Sequence, residues 1–215
     1  MIEKGANING KNLDEESPLI VAAKRGDLHL VKLLVKRGAN LGNINELLVE
    51  ASEIGSLKLT KFWLEKGADI NHKIGGWSSL TYALNYDYKK IAKFLVKNGV
   101  DVNMLDDENL SPLAHALETE NLNIAALMIK KGANVNTLID NENNTPLIFA
   151  SEYFKLAKLL IQSGADVNTV NDKNDSALDI AIRNDEKEIV QLILDTVLHL
   201  IIEIHNENFN RMEIL

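Results

Sequence analysis

The 215-residue chain contains no cysteine, which removes disulfide frameworks, thiolate nucleophiles and cysteine-based zinc sites at once. That composition fits a reducing compartment. Basic residues are also in deficit, with 23 Lys and Arg against 31 Asp and Glu and a net charge of −8. Broad contact with a nucleic-acid backbone needs clustered Lys and Arg, so none is expected. No apolar signal core follows Met1-Ile2-Glu3-Lys4-Gly5, which points to an intracellular protein, cytoplasmic or in another inner compartment. The longest oily stretch, Val197 to Ile204, holds His199 and Glu203. It falls well short of the roughly 20 residues that cross a bilayer, so no membrane contact is expected. What remains is ordinary for a folded protein, 46% apolar and 25% charged, long enough for one or two domains or a single repeat array.

Catalytic motifs are missing as well. None of the five histidines (His29, His72, His115, His199, His205) pairs with another at the i, i+4 spacing of a helical metal site. His115 is expected to be a packed histidine bonded to backbone. Neither a Gly-x-Gly-x-x-Gly nor a Gly-Lys-Ser/Thr phosphate loop occurs. Asp106-Asp107-Glu108 lacks the spacing of a calcium loop and is expected on a solvated loop tip. Neither an enzyme nor a cofactor or metal site is expected.

What the chain does have is a period. Glycines that can end a helix recur at Gly5, Gly38, Gly67, Gly99, Gly132 and Gly164, in steps of 33, 29, 32, 33 and 32 residues. The text around them is nearly constant, as in Lys66-Gly67-Ala68-Asp69-Ile70-Asn71 and Ser163-Gly164-Ala165-Asp166-Val167-Asn168. Helix openings recur in phase: Ser17-Pro18-Leu19, Ser78-Ser79-Leu80, Ser111-Pro112-Leu113, Thr145-Pro146-Leu147 and Ser176-Ala177-Leu178. Ser or Thr caps a helix, and proline suits its first turn. In Asp106–Leu138, the most regular copy, the second run places Leu122, Ile124, Ala125, Leu127 and Met128 on one apolar face. A helix pair this short cannot bury that face alone and needs copies on either side.

This pattern resembles the ankyrin repeat, a unit of about 33 residues built from a turn and two helices. The resemblance implies an all-α solenoid of about six repeats plus an N-terminal partial one, forming a single domain over 1–215. The copies run 1–10 (partial), 11–42, 43–71, 72–103, 104–136, 137–168 and 169–205, with a tail at 206–215. Departures are expected at four places. Residues 43–71 lack about four positions and should have a blunted finger. Gly75-Gly76-Trp77 should sit at a hairpin tip. A two-residue loss between Glu152 and Lys155 should tighten that interhelix turn. The last helix should run on through Val197, Leu200, Ile201 and Ile204 and cover the open end of the stack.

The resemblance further implies a protein-interaction module whose fingers and inner helices meet a partner in a concave groove. Carried onto this chain, those positions hold ten acidic side chains against four basic ones. The outer helices carry Lys32, Lys36, Arg37, Lys61, Lys66, Lys93, Lys97, Lys130, Lys131 and Lys158, so an acidic groove, a basic back and a partner with a basic surface are expected. The site is centred on Trp77, Tyr86, Leu110 and Tyr153, with Ile74, Glu53, Asp107, Glu108, Glu118, Glu142 and Glu152 around them. Trp77 is singled out because a finger-tip aromatic has no core duty and such residues are enriched among interface hot spots. Trp63, beside Phe62 and Leu64, is expected in the core. The closing Asn71, Asn103, Asn136 and Asn168 match a position that asparaginyl hydroxylases modify in some ankyrin proteins; the residues themselves point to turns held by Asn side chains bonding local backbone.

Richness in Asn, Ile and Lys suggests an AT-rich genome, and in a host-associated microbe or virus an effector acting in host cytoplasm would fit. A monomer is expected. The alternative is a scaffold or assembly element that self-associates, or docks another domain, through the apolar C-terminal helix.

Overall fold

A computed structural model describes residues 7–212, so Gly5 and Ala6 of the first closing motif and the last three tail residues lie outside it. The chain divides into two compact units, Met1–Pro112 and Leu113–Leu215. The first contains α1 (Pro18–Lys24), α2 (Leu28–Lys36), α3 (Ile44–Glu53), α4 (Leu57–Glu65), a hairpin of β1 (Lys73–Ile74) and β2 (Trp77–Ser78), α5 (Ser79–Asn85) and α6 (Lys89–Lys97). In the second are α7 (Pro112–Glu118, starting at the boundary), α8 (Leu122–Ile129), α9 (Pro146–Phe149), α10 (Phe154–Gln162), α11 (Ala177–Arg183) and α12 (Lys187–Met212).

The openings act as their chemistry requires. The hydroxyls of Ser17, Ser78 and Thr145 accept from the amides of Ile20, Thr81 and Ile148, and Ser176 forms a reciprocal capping box with Asp179. At the closing glycines φ lies between 84° and 90°. The following amide reaches back to the carbonyl five residues earlier, as Ala68 does to Trp63 and Ala165 to Leu160. This closure needs a left-handed residue, which glycine adopts without strain.

In the first unit α3 packs between α1 and α5, and Leu19, Leu48, Leu59 and Trp63 are fully buried. Trp63 meets Phe62 edge-on at 4.9 Å, the core position its sequence context suggests. Part of the basic back is structural: Lys32 and Lys66 lie over the Phe62 ring at 6.0 and 5.6 Å, and Lys61 over Phe94 at 5.3 Å. In the second unit α10 packs on α8 and α12, and α11 on α9 and α12. On α8, Ile124, Ala125, Met128 and Ile129 are buried while Leu122 and Leu127 are only half-buried, so the face sits slightly round from the expected one.

Two expectations about polar residues need correcting. The closing Asn71 and Asn136 do not bond local backbone. Asn9, Asn71 and Asn136 accept from the amides of Asn40, Asp101 and Asp166, each in the following repeat. The local turn is instead held by the residue two places earlier, as Asp69 accepts from the Asn71 amide and Asp166 from that of Asn168. Repeat 11–42 closes on Gly42 instead of asparagine, and Asn45 from the first turn of α3 takes over the bond, accepting from Asp69 at 2.7 Å. Asp106 is not a solvated tip residue either. It is 6% exposed, and its Oδ1 accepts from the amides of Glu108 and Leu110, both at 2.9 Å. Asn12, Asp140 and Asn171 do the same in their own fingers. The left-handed residues Glu15, Asn109, Asn143 and Asn174 stand three places after them.

The irregular copies have visible causes. α3 starts at Ile44 directly after Gly42 and Asn43, leaving no finger before it. Residues 73–78 form the two-stranded hairpin, with Ile74 paired to Trp77 across Gly75-Gly76. α9 lasts four residues and continues as a 3-10 turn at Ala150–Glu152. The left-handed interhelix residue found elsewhere (Gly26, Gly55, Asp87, Glu120, Asp185) is absent there. α12 does run on for 26 residues. It does not cover the stack, however. Ile189 and Ile193 are buried, whereas Leu194, Leu198, Leu200, Ile201 and Ile202 are 43–58% exposed. The side chain of Ile204 lies outside the described residues.

Candidate functional site

The two units divide the expected site residues. Trp77, Tyr86, Leu110, Ile74, Glu53, Asp107 and Glu108 fall in the first, and Glu118, Tyr153, Glu142 and Glu152 in the second.

In the first unit α5 follows the hairpin immediately, so residues four apart on its surface continue the line begun by β2. Trp77 packs on Tyr82 with ring centroids 5.2 Å apart. Tyr82 stacks on Tyr86 at 6.2 Å and 19°, and Tyr86 meets Tyr88 at 5.9 Å. Trp77 is therefore half-buried and has a packing role, contrary to the expectation of a free tip. Tyr86 is 49% exposed. Tyr88 closes the line over Gly55, where an added Cβ would lie 2.7 Å from the ring's Cζ.

Carboxylates frame these rings. Glu53, at the end of α3, and Asp107, in the next finger, are exposed and form no ion pair among the described residues. Asp107 lies against the hairpin, so close to Gly76 that a Cβ there would meet its own at 2.5 Å. Burial pushes the Tyr82 hydroxyl pKa up, and the charges of Glu53 and Asp107 add to the rise. Further along α3, burial raises the Glu50 carboxyl pKa. Lys24 opposes the rise, while Glu46, Glu53 and Glu16 reinforce it. One Glu50 oxygen is buried without a hydrogen bond. Lys24 itself pairs with Glu16. Leu110 is half-buried and its backbone closes the Asp106 finger.

Three acids of the second unit are engaged with their neighbours. Glu142 pairs with Lys173 at 2.7 Å, Glu152 accepts from Asn184, and Asp175 holds Arg183 through both oxygens. Tyr153 stacks on Phe149 at 5.5 Å. It also borders a cleft of about 930 Å³ between outer helices, with Lys130, Lys155 and Lys158 on its walls. Tyr153 is thus placed among lysines as well as beside Glu152. Glu118 is exposed at the end of α7, and His115 on the same helix is buried.

The sequence reading missed Tyr82 and Tyr88, and Glu46 and Glu50. The signals were present: Tyr82 and Tyr86 are four apart, and Glu46, Glu50 and Glu53 share one helical stripe. Among the described residues no helix is long and apolar enough to cross a membrane.

Comparison with known proteins adds a family. A model described as ankyrin repeats (3 copies) matches residues 1–106, 47–139, 80–171 and 137–208. An ankyrin repeat protein of Acanthamoeba polyphaga mimivirus is 34% identical over 40% of this chain and 14% of its own length. An ankyrin repeat and KH domain-containing protein of Caenorhabditis elegans is 26% identical over 51% of the chain and 4% of its length. An ankyrin repeat protein of fowlpox virus is 30% identical over 47% and 32%. The chain therefore spans no more than about a third of these relatives.

Proposed function

The chain belongs to the ankyrin repeat family, and from that premise we propose that it is a non-catalytic module binding a protein partner. Its fingers and the solvent-facing side of its inner helices make the contact, and the acidic, ring-bearing face of the first unit is the principal surface. Ankyrin repeats are in general protein-interaction modules. The observation that carries the choice of face is the stripe of Glu46, Glu50 and Glu53 along α3, with Glu50 half-buried and one of its oxygens buried without a hydrogen bond. Such a patch favours a partner with a basic surface, because potentials across an interface are complementary. We read 1–215 as one repeat domain acting in this way inside a cell. For the effector reading the proposed setting is host cytoplasm; two of the relatives are viral proteins.

Selection of peptides from a random display library tests the proposal, with a variant carrying Glu46→Gln, Glu50→Gln and Glu53→Gln as control. Basic peptides that bind the parent and lose the variant are expected. Peptides that ignore these substitutions would move the site elsewhere. Trp77→Ala should cost on the order of 2 kcal/mol in affinity. Because Trp77 also supports Tyr82, Tyr86→Ala is the cleaner probe.

One observation favours a second reading, assembly through α12. Its exposed Leu194, Leu198, Ile201 and Ile202 share one face and form an apolar surface of the kind that marks interaction sites. Light scattering on the parent and on Leu198→Gln/Ile201→Gln/Ile202→Gln separates the readings. A concentration-dependent dimer lost in the variant supports assembly, and a monomer in both removes it.

A further inference from the structure

We propose that the ring line Trp77–Tyr82–Tyr86–Tyr88, framed by Glu53 and Asp107, seats an arginine side chain of the partner protein. This inference rests on the protein-binding reading of the first unit's face and adds the chemistry of the group recognised there. Three successive repeats build the seat. Glu53 comes from the end of α3, the rings from the hairpin, α5 and the start of α6, and Asp107 from the finger that follows. The rings are coupled at 5.2, 6.2 and 5.9 Å, with the Tyr82 and Tyr86 planes within 19° of parallel and Trp77 and Tyr88 tilted at either end.

An aromatic face carries negative quadrupolar charge and attracts a cation laid over it, and tyrosine serves well. Guanidinium suits this strip better than ammonium. It is planar and weakly hydrated, so it stacks, and its fork of donors reaches a carboxylate at the edge while its plane stays on the ring. Glu53 and Asp107 supply such edges from the repeats before and after Tyr82, both near enough to act on its hydroxyl. Neither is committed to an ion pair among the described residues, in contrast to Glu142 and Asp175 of the second unit. Tyr86 is the most accessible ring, 49% exposed. The seat is also held open from beneath: Tyr88 can lie where it does because Gly55 has no side chain.

Calorimetric titration of the full chain with three peptides on one Gly-Ser scaffold tests this, the peptides carrying arginine, lysine or citrulline at the same positions. The arginine peptide should bind tighter than the lysine peptide, and about two- to fivefold tighter than an uncharged one, the range expected of one cation–π contact at a surface site. Citrulline keeps the plane but loses the charge and should bind worst. Tyr86→Ala should abolish the preference for arginine, Tyr86→Phe should keep it, and Glu53→Gln/Asp107→Asn should weaken the arginine and lysine peptides together. Equal binding of arginine and lysine peptides by the parent, or a preference surviving in Tyr86→Ala, overturns the seat. Library peptides that depend on Glu46, Glu50 and Glu53 but not on Tyr86 overturn it while leaving the protein-binding reading intact. Peptides depending on none of these residues overturn both.

Discussion

Replacing Gly55 with alanine should destabilise the first unit by more than its backbone conformation alone explains. Two costs add at this site. Gly55 has φ of 73°, a left-handed conformation that costs an L-residue about 1–2 kcal/mol. The new Cβ would also stand 2.7, 2.9 and 3.0 Å from three carbons of the Tyr88 ring, inside ordinary contact. The ring must retreat, and overpacking of this kind costs about 1–3 kcal/mol. Gly26 is a matched control, with φ of 72° but only Ile54 Cδ1 nearby at 3.8 Å. Gly26→Ala should therefore pay the backbone cost alone, about 1–2 kcal/mol. Urea unfolding read by tryptophan fluorescence suits the comparison, because both tryptophans, Trp63 and Trp77, lie in the first unit. Gly55→Ala should lower the midpoint clearly further than Gly26→Ala, and adding Tyr88→Ala should abolish the excess. Equal losses for the two glycines, or an excess that survives removal of the Tyr88 ring, would refute the packing argument.

Other outcomes follow from the same geometry. Asn71→Ala removes a bond to the next repeat and should cost about 1 kcal/mol. Asn168→Ala should be near neutral in urea unfolding followed by far-UV circular dichroism, since the Asn168 side chain makes no hydrogen bond among the described residues. Asp106→Ala strands two finger amides in a nearly buried site and should cost about 2–3 kcal/mol, whereas Asp106→Asn should be tolerated because Asn12 and Asn171 hold their fingers the same way. Glu50 has a raised folded-state pKa, so the fold binds its proton more tightly than the unfolded chain and loses stability as pH rises through that pKa. Glu50→Gln should therefore raise stability at neutral pH, and the gain should fade as pH falls below the ordinary carboxylate range.

The solenoid was legible because its signals are local. A Ser or Thr before the first turn and a left-handed glycine after the last residue act within a few positions, so repetition alone exposed the helices. Irregular copies were legible for the same reason: a missing finger before Ile44 and a long α12 are matters of count. Functions that depend on a residue some 30 positions away were not. Asn71 looks the same whether it bonds its own turn or the Asp101 amide. Asp106 looks like any tip carboxylate until two amides converge on it. At the candidate site, Trp77 and Tyr86 stand out by type. Tyr82 became part of the line only once β2 was seen to run straight into α5. The exposed surface of α12 was hidden for a different reason. An apolar helix reads as buried unless the sequence shows where the core stops, and here it stops at Ile193.

The most direct test of the binding face is an amide-shift map of the isotopically labelled full chain titrated with a library-selected peptide. The account predicts shifts at the end of α3, the hairpin, α5 and the following finger, including Glu53, Trp77, Tyr86 and Asp107, and their loss in the Glu46/Glu50/Glu53 variant. Shifts confined to the outer helices α4 and α6, or to α12, would contradict it.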